Sequence, residues 1–279
     1  MLNGRHASRL RGRGLNVEEM RNYLPGDDIR SIDWKATART GKPHVSVFTE
    51  ERDRPALFVV DQRMSMFFGS QHNMKSTTAA EAAALIAFSI LGAGDRVGGI
   101  AFDDDTQVEL RPKRRASTLY VLLEAIAELN AGLNADRIVT PAPGGLNNVL
   151  KSVSRLAQHD HTVLVFSDFD GIDEHTHQHL SGIAAHNDVL LILVYDPLAR
   201  SLEPGDRIVI GDGDMQAEVD LGEEKTRELL NEFSQARLEK IFNWQNKLNL
   251  SVLPLSAGEE TLPQIRNLMG QMSPRRRVR

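Results

Sequence analysis

Cysteine is absent from this 279-residue chain. Its absence excludes disulfide bonds, zinc–thiolate centres and thiol nucleophiles, and it suits a reducing compartment. No apolar run approaches the roughly 20 uninterrupted residues that a membrane-spanning helix needs, and the N-terminus lacks the apolar core of a signal peptide. Aromatic residues make up only 5%, but hydrophobic residues reach 41% and charged residues 25%, which is ordinary for a globular domain. We therefore expect a soluble, cytoplasmic protein, for which any membrane association would run through a partner complex.

An excess of positive charge is missing as well. The net charge of −5 argues against binding of nucleic acid or membrane by the chain as a whole. Basic residues cluster at both ends, in Arg5–Arg13 and Arg275–Arg279, and such clusters favour solvated tails over phosphate-binding sites. Because Asn3–His6 are already motif-like, we expect any preceding segment to be missing or very short.

The central part of the chain alternates between strand and helix patterns. Short, almost wholly apolar runs, typical of strands buried on both faces, occur at Ala56–Val60, Arg96–Phe102, Thr162–Phe166 and Val189–Tyr195. Helical apolar spacing occurs at 77–91, with Ser76 as a possible N-cap, and at 119–129, 147–157 and 174–186. This alternation predicts an α/β fold with a doubly wound, mostly parallel sheet.

The two ends of the chain follow other patterns. Residues 1–55 predict an irregular, charged β segment with a strand near Val45–Phe48, and the α/β domain then spans 56–270. Inside that domain, Gly211–Asp214 predicts a hairpin insertion at about 205–221. A helix at about 223–246, a strand at about 250–254, a helix at about 261–270 and a basic tail at 271–279 complete the prediction.

The N-terminal segment contains a dense mixed-charge motif around a tryptophan. Its turn signal is Pro25-Gly26-Asp27, because proline presets φ and glycine tolerates positive φ. One interpretation is a partner-binding or autoinhibitory surface; the other is an ion-pair network in which Trp34 is the buried anchor. The residues that define the motif are Gly26, Asp27, Asp28, Arg30, Asp33, Trp34 and Arg39, with Lys35 among them.

Polar residues follow the predicted strands at the edge where open parallel sheets bind ligands. Because the carboxyl ends of parallel strands meet there, we expect three loops to form one partner-binding face. Its candidate residues are Asp61, Gln62, Arg63, Ser65, Gly145, Asn147, Asp168 and Asp170.

Two patterns carry a resemblance to known families. Asp61-x-x-x-Ser65, with Ser167-Asp168 after a later strand, resembles the metal-ion-dependent adhesion site of von Willebrand factor A domains. The longer block GRGLNVEEMRNYLPGDDIRSIDWKATARTGKPHVSVFTEERD, running into FVVD and DRVGGIAFDD, resembles the bacterial domain-of-unknown-function family number 58. That family joins such a block to a von Willebrand A-like domain, and the resemblance covers roughly residues 4–196.

The adhesion-site resemblance implies a magnesium ion, and this sequence departs from the pattern twice. Asp61, Ser65 and Asp168 match the ligands of such an ion, which would bridge to a carboxylate of a partner. The middle serine is replaced by Arg63, and the threonine position falls near Leu146, which has no side-chain oxygen. We expect the site to be degenerate and without a resident cofactor. Arg63 then either replaces the metal, bridging Asp61 and Asp168 or meeting a partner carboxylate, or is a surface residue.

The resemblance also implies a function, namely protein interaction beside AAA+ ATPases of the MoxR type, in chaperone-like assembly or maturation. We expect no enzymatic activity, because no phosphate-binding loop or nucleophile elbow is present. The alternatives are a metal-assisted hydrolase using Asp61, Asp168 and Asp170, and a structural subunit that binds through its N-terminal block. His175 and His179 have helical spacing for a metal pair, but no glutamate follows His175 as in His-Glu-x-x-His, so we interpret them as part of an exposed polar helix.

Overall fold

The computed structural model describes residues 15–50, 54–135, 145–200, 207–211, 216–220, 237–248 and 250–272. The chain divides into two compact units, Met1–Asp53 and Arg54–Arg279. The basic ends predicted at Arg5–Arg13 and Arg275–Arg279 lie outside the described residues.

The first unit contains a two-stranded sheet and a short helix. Strand β1 (Leu15–Asn22) pairs antiparallel with β2 (His44–Glu50), and helix α1 (Trp34–Thr40) lies between them in sequence. Gly26 has φ +107° in the predicted turn. Asp33 begins α1 by accepting hydrogen bonds from the backbone N–H groups of Lys35 and Ala36, and the helix ends at Gly41 in the left-handed conformation. Strand β1 and helix α1 were not predicted.

Of the two interpretations of the mixed-charge motif, the one in which Trp34 is a buried anchor is wrong. Its side chain is 67% exposed. Among the described residues, Asp28 and Asp33 accept hydrogen bonds from backbone N–H groups, and Asp27 pairs with Arg21, which lies outside the predicted network. Among side chains 21–45, the apolar ones that are buried are Ala36 and Val45. Between residues 21 and 45 this unit therefore buries little apolar side-chain surface.

The second unit is built on a six-stranded sheet, which confirms the predicted doubly wound, mostly parallel α/β class. In chain order, the strands of this unit are β3 (Ala56–Asp61), β4 (Val97–Phe102), β5 (Gln107–Lys113), β6 (Thr162–Ser167), β7 (Asp188–Tyr195), β8 (Arg207–Gly211), β9 (Gln216–Asp220) and β10 (Ser251–Ser256). The order in the sheet is β10-β7-β6-β3-β4-β5, with all neighbours parallel except the β4–β5 edge pair. Strands β8 and β9 pair antiparallel on either side of the predicted hairpin turn Gly211–Asp214, of which 212–214 lie outside the described residues.

Helices cover both faces of this sheet and enclose a separate apolar cluster on each side. The helices are α2 (Lys75–Gly92), α3 (Ala116–Ala131), α4 (Gly145–Leu156), α5 (Glu174–Ala184), α6 (237–248) and α7 (Thr261–Met272). The cluster on one face is packed by α2, α3 and α7, and that on the other face by α4, α5 and α6. Within the described ranges, no helix is both long and apolar enough to span a bilayer.

Two boundaries differ from the predictions. Helix α2 begins at Lys75, its N-cap residue Met74 makes no side-chain cap bond, and the expected cap Ser76 is buried inside the first turn. The edge strand β5 was not predicted, because its residues are half-exposed and include Pro112. Of the helix predicted at 223–246, residues 221–236 lie outside the described ranges.

Candidate functional site

Strands β3 and β6 are parallel neighbours at the centre of the sheet, and both end in the candidate loops. The chain leaves β3 toward β4 on one side, whereas β6 lies on the other side, so the connection reverses direction here. This is the position at which open α/β sheets bind ligands. Asp61 at the end of β3 and Asp168 directly after β6 are 0% and 4% exposed. The structure therefore brings the two predicted carboxylates to one buried edge.

Asp61 is held by the residue two positions after it. The Nη2 atom of Arg63 donates to Asp61 Oδ2 at 2.7 Å, and Nε donates to both carboxylate oxygens at 3.1 Å. The backbone N–H of Arg63 adds a bond to Oδ1 at 2.9 Å, and Ser167 Oγ donates to Oδ2 at 2.6 Å. Donors from the chain itself therefore surround this buried carboxylate.

Arg63 is buried together with its partner. Its guanidinium lies 5.8 Å from the centre of the Phe102 ring, and Nη1 and Nη2 each donate to the backbone oxygen of Asp170 at 3.3 Å. Burial alone lowers the pKa of Arg63, but the charge and hydrogen bonds of Asp61 outweigh burial and raise it above its usual range. The interpretation of Arg63 as a surface residue is wrong, because its side chain is only 11% exposed.

Asp168 is neutralised by a different cation. Lys75 Nζ, on the first residue of α2, donates to Asp168 Oδ2 at 2.6 Å, while Ser65 Oγ is 3.3 Å from Oδ1. Burial alone raises the pKa of Asp168, but the charges of Lys75, Arg63 and Arg237 outweigh burial and hold it well below its usual range. The prediction that Arg63 bridges both carboxylates is therefore wrong. Arg63 forms hydrogen bonds with Asp61, and Lys75 forms one with Asp168.

Phe169 separates the buried part of the cluster from its rim. It is buried and has φ +55°, a left-handed conformation that is rare for a bulky residue, and its N–H donates to Ser167 Oγ at 2.9 Å. After this reversal the Asp170 side chain is 47% exposed and pairs with Arg237 of α6. Asp168 therefore belongs to the interior, and the Asp170–Arg237 pair forms the rim.

Three of the predicted face residues make structural contacts nearby. Gln62 is fully buried, accepting from Asn130 Nδ2 of α3 at 2.8 Å and donating to the Ser76 backbone oxygen at 3.1 Å. The amide of Asn147 joins α4 to the start of α5 through Asp173 and Thr176. Gly145 lies against Arg63: a Cβ atom there would be 3.7 Å from Arg63 Cδ. Neither amide side chain reaches the surface.

Three residues that contribute to this site were not identified from the sequence. Lys75 could have been identified, because a cation in the first turn of a helix opposes the helix dipole and needs a negatively charged partner elsewhere. Asp104 follows β4 at the same sheet edge and accepts a hydrogen bond from the backbone N–H of Met64 at 2.7 Å. Arg237 carried no signal, since it lies within a long predicted amphipathic helix.

The residues at this edge do not fit the divalent ion that the adhesion-site pattern implies. The oxygens of Asp61 and Asp168 that would coordinate it face buried cations. Leu146, at the threonine position, packs into the apolar cluster under α4. Among the described residues, which include His175 and His179, no group of three or more His, Cys, Asp or Glu side chains is arranged to hold a metal.

Comparisons with known proteins give the following likenesses. The uncharacterized protein Rv1480 of Mycobacterium tuberculosis is 30% identical over 217 residues, which cover 77% of this chain and 65% of that protein. The chain thus spans less than two thirds of the length of that relative.

Solved structures with a similar fold include a conserved hypothetical protein, BatB, from Bacteroides thetaiotaomicron. Its TM-score is 0.44 at 11% identity, covering 79% of this chain and 97% of that one. Another is a von Willebrand factor type A structure from Catenulispora acidiphila, with a TM-score of 0.43 at 9% identity. The match covers 80% of this chain and 42% of that one. At these identities the likeness concerns the fold alone.

The family model described as "Protein of unknown function DUF58" matches residues 19–240, well over half of the chain. The resemblance predicted from the N-terminal block is confirmed, and the chain belongs to the DUF58 family.

Proposed function

We propose that this protein is a non-enzymatic interaction module that binds a partner protein with the carboxyl edge of its sheet. The observation that carries the proposal is the buried pairing of Asp61 with Arg63 and of Asp168 with Lys75. Each of these charges is neutralised within the chain, so the edge is a preformed, rigid surface. We infer that two cations of the chain take the place that a metal ion has in related sites.

The surroundings of the ion pairs support recognition of a protein. Phe68 and Met74, in the loop that joins β3 to α2, are exposed beside the buried cluster. The Asp170–Arg237 pair adds a polar rim. Apolar side chains next to a polar, solvent-accessible rim are the usual composition of a protein–protein contact.

The hydrolase alternative has less support. A general base must accept a proton from a water molecule near neutral pH. The lowered pKa of Asp168 makes it a weak base, and Asp61 has its oxygens filled by Arg63 and Ser167. Asp170, the third carboxylate of that hypothesis, is engaged by Arg237.

We further propose that the partner is a MoxR-type AAA+ ATPase, and that the protein acts in the cytoplasm in assembly or maturation of other proteins. Membership of the DUF58 family supports this part, through the association that the family resemblance implies. A pull-down with each MoxR-type ATPase encoded by the same organism tests it. We expect retention of the wild type, weaker retention of Phe68→Ser, and no change for Tyr120→Ala, an exposed aromatic on helix α3. Absence of retention by every such ATPase would contradict the proposed partner.

Metal titration tests the site itself. We expect no saturable binding of Mg²⁺ or Mn²⁺ to the wild type by calorimetry. The double variant Arg63→Ser with Lys75→Ala frees Asp61 and Asp168 and restores a serine at position 63, so we expect it to gain metal binding and a metal-dependent rise in Tm. Arg155→Ser, at an exposed ion pair, is the matched control. Saturable binding by the wild type would mean that the cations do not replace a metal.

A further inference from the structure

We propose a second docking surface on the first unit, which binds an acidic segment of a partner protein that also carries apolar side chains. We name it the Trp34 surface. It consists of Leu24, Ile29, Arg30, Trp34, Lys35, Arg39 and Lys42.

The acidic residues of the mixed-charge motif are engaged within the unit. The carboxylate of Asp27 pairs with both terminal nitrogens of Arg21 at 2.7 Å and accepts from the Leu24 N–H at 2.9 Å. Asp28 accepts from the Arg30 N–H at 2.9 Å, and Asp33 caps α1. These three side chains therefore shape the backbone.

The basic residues of the same motif, and Lys42 shortly after it, are not engaged in this way. Arg30, Lys35, Arg39 and Lys42 are all exposed. None of the four forms an ion pair with a residue in the described ranges. Lys35 and Arg39 are four residues apart on α1 and so lie on one side of that helix. The motif is balanced in sequence, but its free side chains in the structure are cationic.

Large apolar side chains accompany these cations. Leu24, Ile29 and Trp34 are 58%, 64% and 67% exposed, and they follow one another from the turn at Gly26 to the start of α1. A two-stranded sheet has a small hydrophobic core of its own and gains stability when its apolar side chains are covered. Covering these side chains would stabilise the unit, and tryptophan with arginine is the pair most enriched in the energetic centres of protein interfaces.

The chemistry favours an acidic protein segment over other anions. Three aspartates lie among the cations, and they would oppose a uniformly anionic surface such as a bilayer or a nucleic-acid backbone. A protein segment can place its carboxylates opposite the cations alone. The aliphatic Leu24 and Ile29 also suit apolar side chains better than bases, which bind by stacking on aromatic rings.

The test is fluorescence anisotropy of the full chain with a labelled helical peptide of glutamate and leucine. We expect saturable binding that weakens as NaCl is raised, because the charges are exposed and screened by salt. Trp34→Ala and Lys35→Glu should each weaken binding by about tenfold or more. Neither change opposes helix formation, since alanine is the best helix former and a carboxylate is favourable in the first turn of α1.

The matched controls make the same changes on the other unit. Tyr120→Ala removes an aromatic that is 59% exposed, and Lys113→Glu reverses an exposed cation; both should bind like the wild type. The proposal is overturned by absence of saturable binding, or by equal losses in the control variants. It is also overturned by stronger competition from oligo-dT or phosphatidylserine vesicles, or by a dimer that Trp34→Ala dissociates. The surface uses none of the residues in the metal or ATPase tests, so each proposal can fail separately.

Discussion

In the first unit, Asp28 and Asp33 bond to backbone N–H groups while neighbouring cations such as Lys35 are exposed. At the sheet edge of the second unit, Asp61 and Asp168 instead draw Arg63 and Lys75 into the interior. The residue types are the same, but burial differs. An aspartate near a strand or turn therefore either organises the backbone and leaves cations free, or is buried and fixes a cation in place.

Of the changes that test this difference between the two units, we expect the largest loss of stability at the sheet edge. Arg63→Met leaves Asp61 buried without its bidentate partner, which should lower the free energy of unfolding by about 3–5 kcal/mol. Lys35→Met, on the exposed face of α1, should change it by less than about 0.5 kcal/mol. Chemical denaturation measures both. Equal changes in the free energy of unfolding would contradict the proposed difference between a buried, paired cation and an exposed one.

A smaller effect is expected from the helix cap of the first unit. Asp33→Ala removes the acceptor for the N–H groups of Lys35 and Ala36, at a cost of about 1 kcal/mol. Hydrogen exchange of the α1 amides should show the loss locally, whereas the amides of α2 should keep their protection. Asp33→Asn is the matched control, because asparagine caps helices about as well. Unchanged α1 protection in Asp33→Ala would show that the cap does not hold the helix.

The smallest effect is a pH dependence that both units should share. The hydrogen bonds from Arg21 and from the Leu24 N–H lower the pKa of Asp27 to about 2. In the second unit, bonds from the Thr176 N–H and the Asn147 amide lower the pKa of Asp173 to about 2. Because both values lie below the unfolded value of about 3.9, the associated stability is fully present above that pH. It should be lost as the pH falls through about 2.

Carboxyl-carbon NMR measures the two pKa values directly. Thermal unfolding of Asp27→Asn and Asp173→Asn between pH 5 and 2 provides the stability comparison, and each variant should lose part of the wild-type dependence. A carboxyl pKa near 3.9 at either position would contradict the hydrogen bonds seen there.

The sequence was most informative where apolar pattern alone determines structure. Runs such as Ala56–Val60 and Val189–Tyr195 predicted the central strands, because a strand buried on both faces tolerates few polar residues. The same rule could not detect β5, which lies at the edge of the sheet with Pro112 among half-exposed residues. Helix α1 has seven residues, too few to display a helical period.

The candidate site was predictable in position but only partly in composition. Strand ends placed Asp61 and Asp168 together, since that depends on topology. The partner of Asp168 could not be derived from local pattern, because Lys75 reaches it from a helix on one face of the sheet. One of the two interpretations of the N-terminal motif placed Trp34 in the interior because of its residue type, but the burial of a tryptophan depends on what the fold places over it.

The alanine-rich side of α2 has a mechanical consequence for the charges at the sheet edge. Ala79, Ala82, Ala83 and Ala87 are all buried against the strands, so the helix axis can approach the sheet closely. The distance between the helix and the sheet therefore determines how closely Lys75 approaches Asp168. A larger side chain at Ala79 would push the first turn of α2 away from the sheet. It would thereby lengthen the ion pair between Lys75 and Asp168 without altering either charged residue. Small side chains in the packing layer thus determine the length of an ion pair to which they contribute no charge.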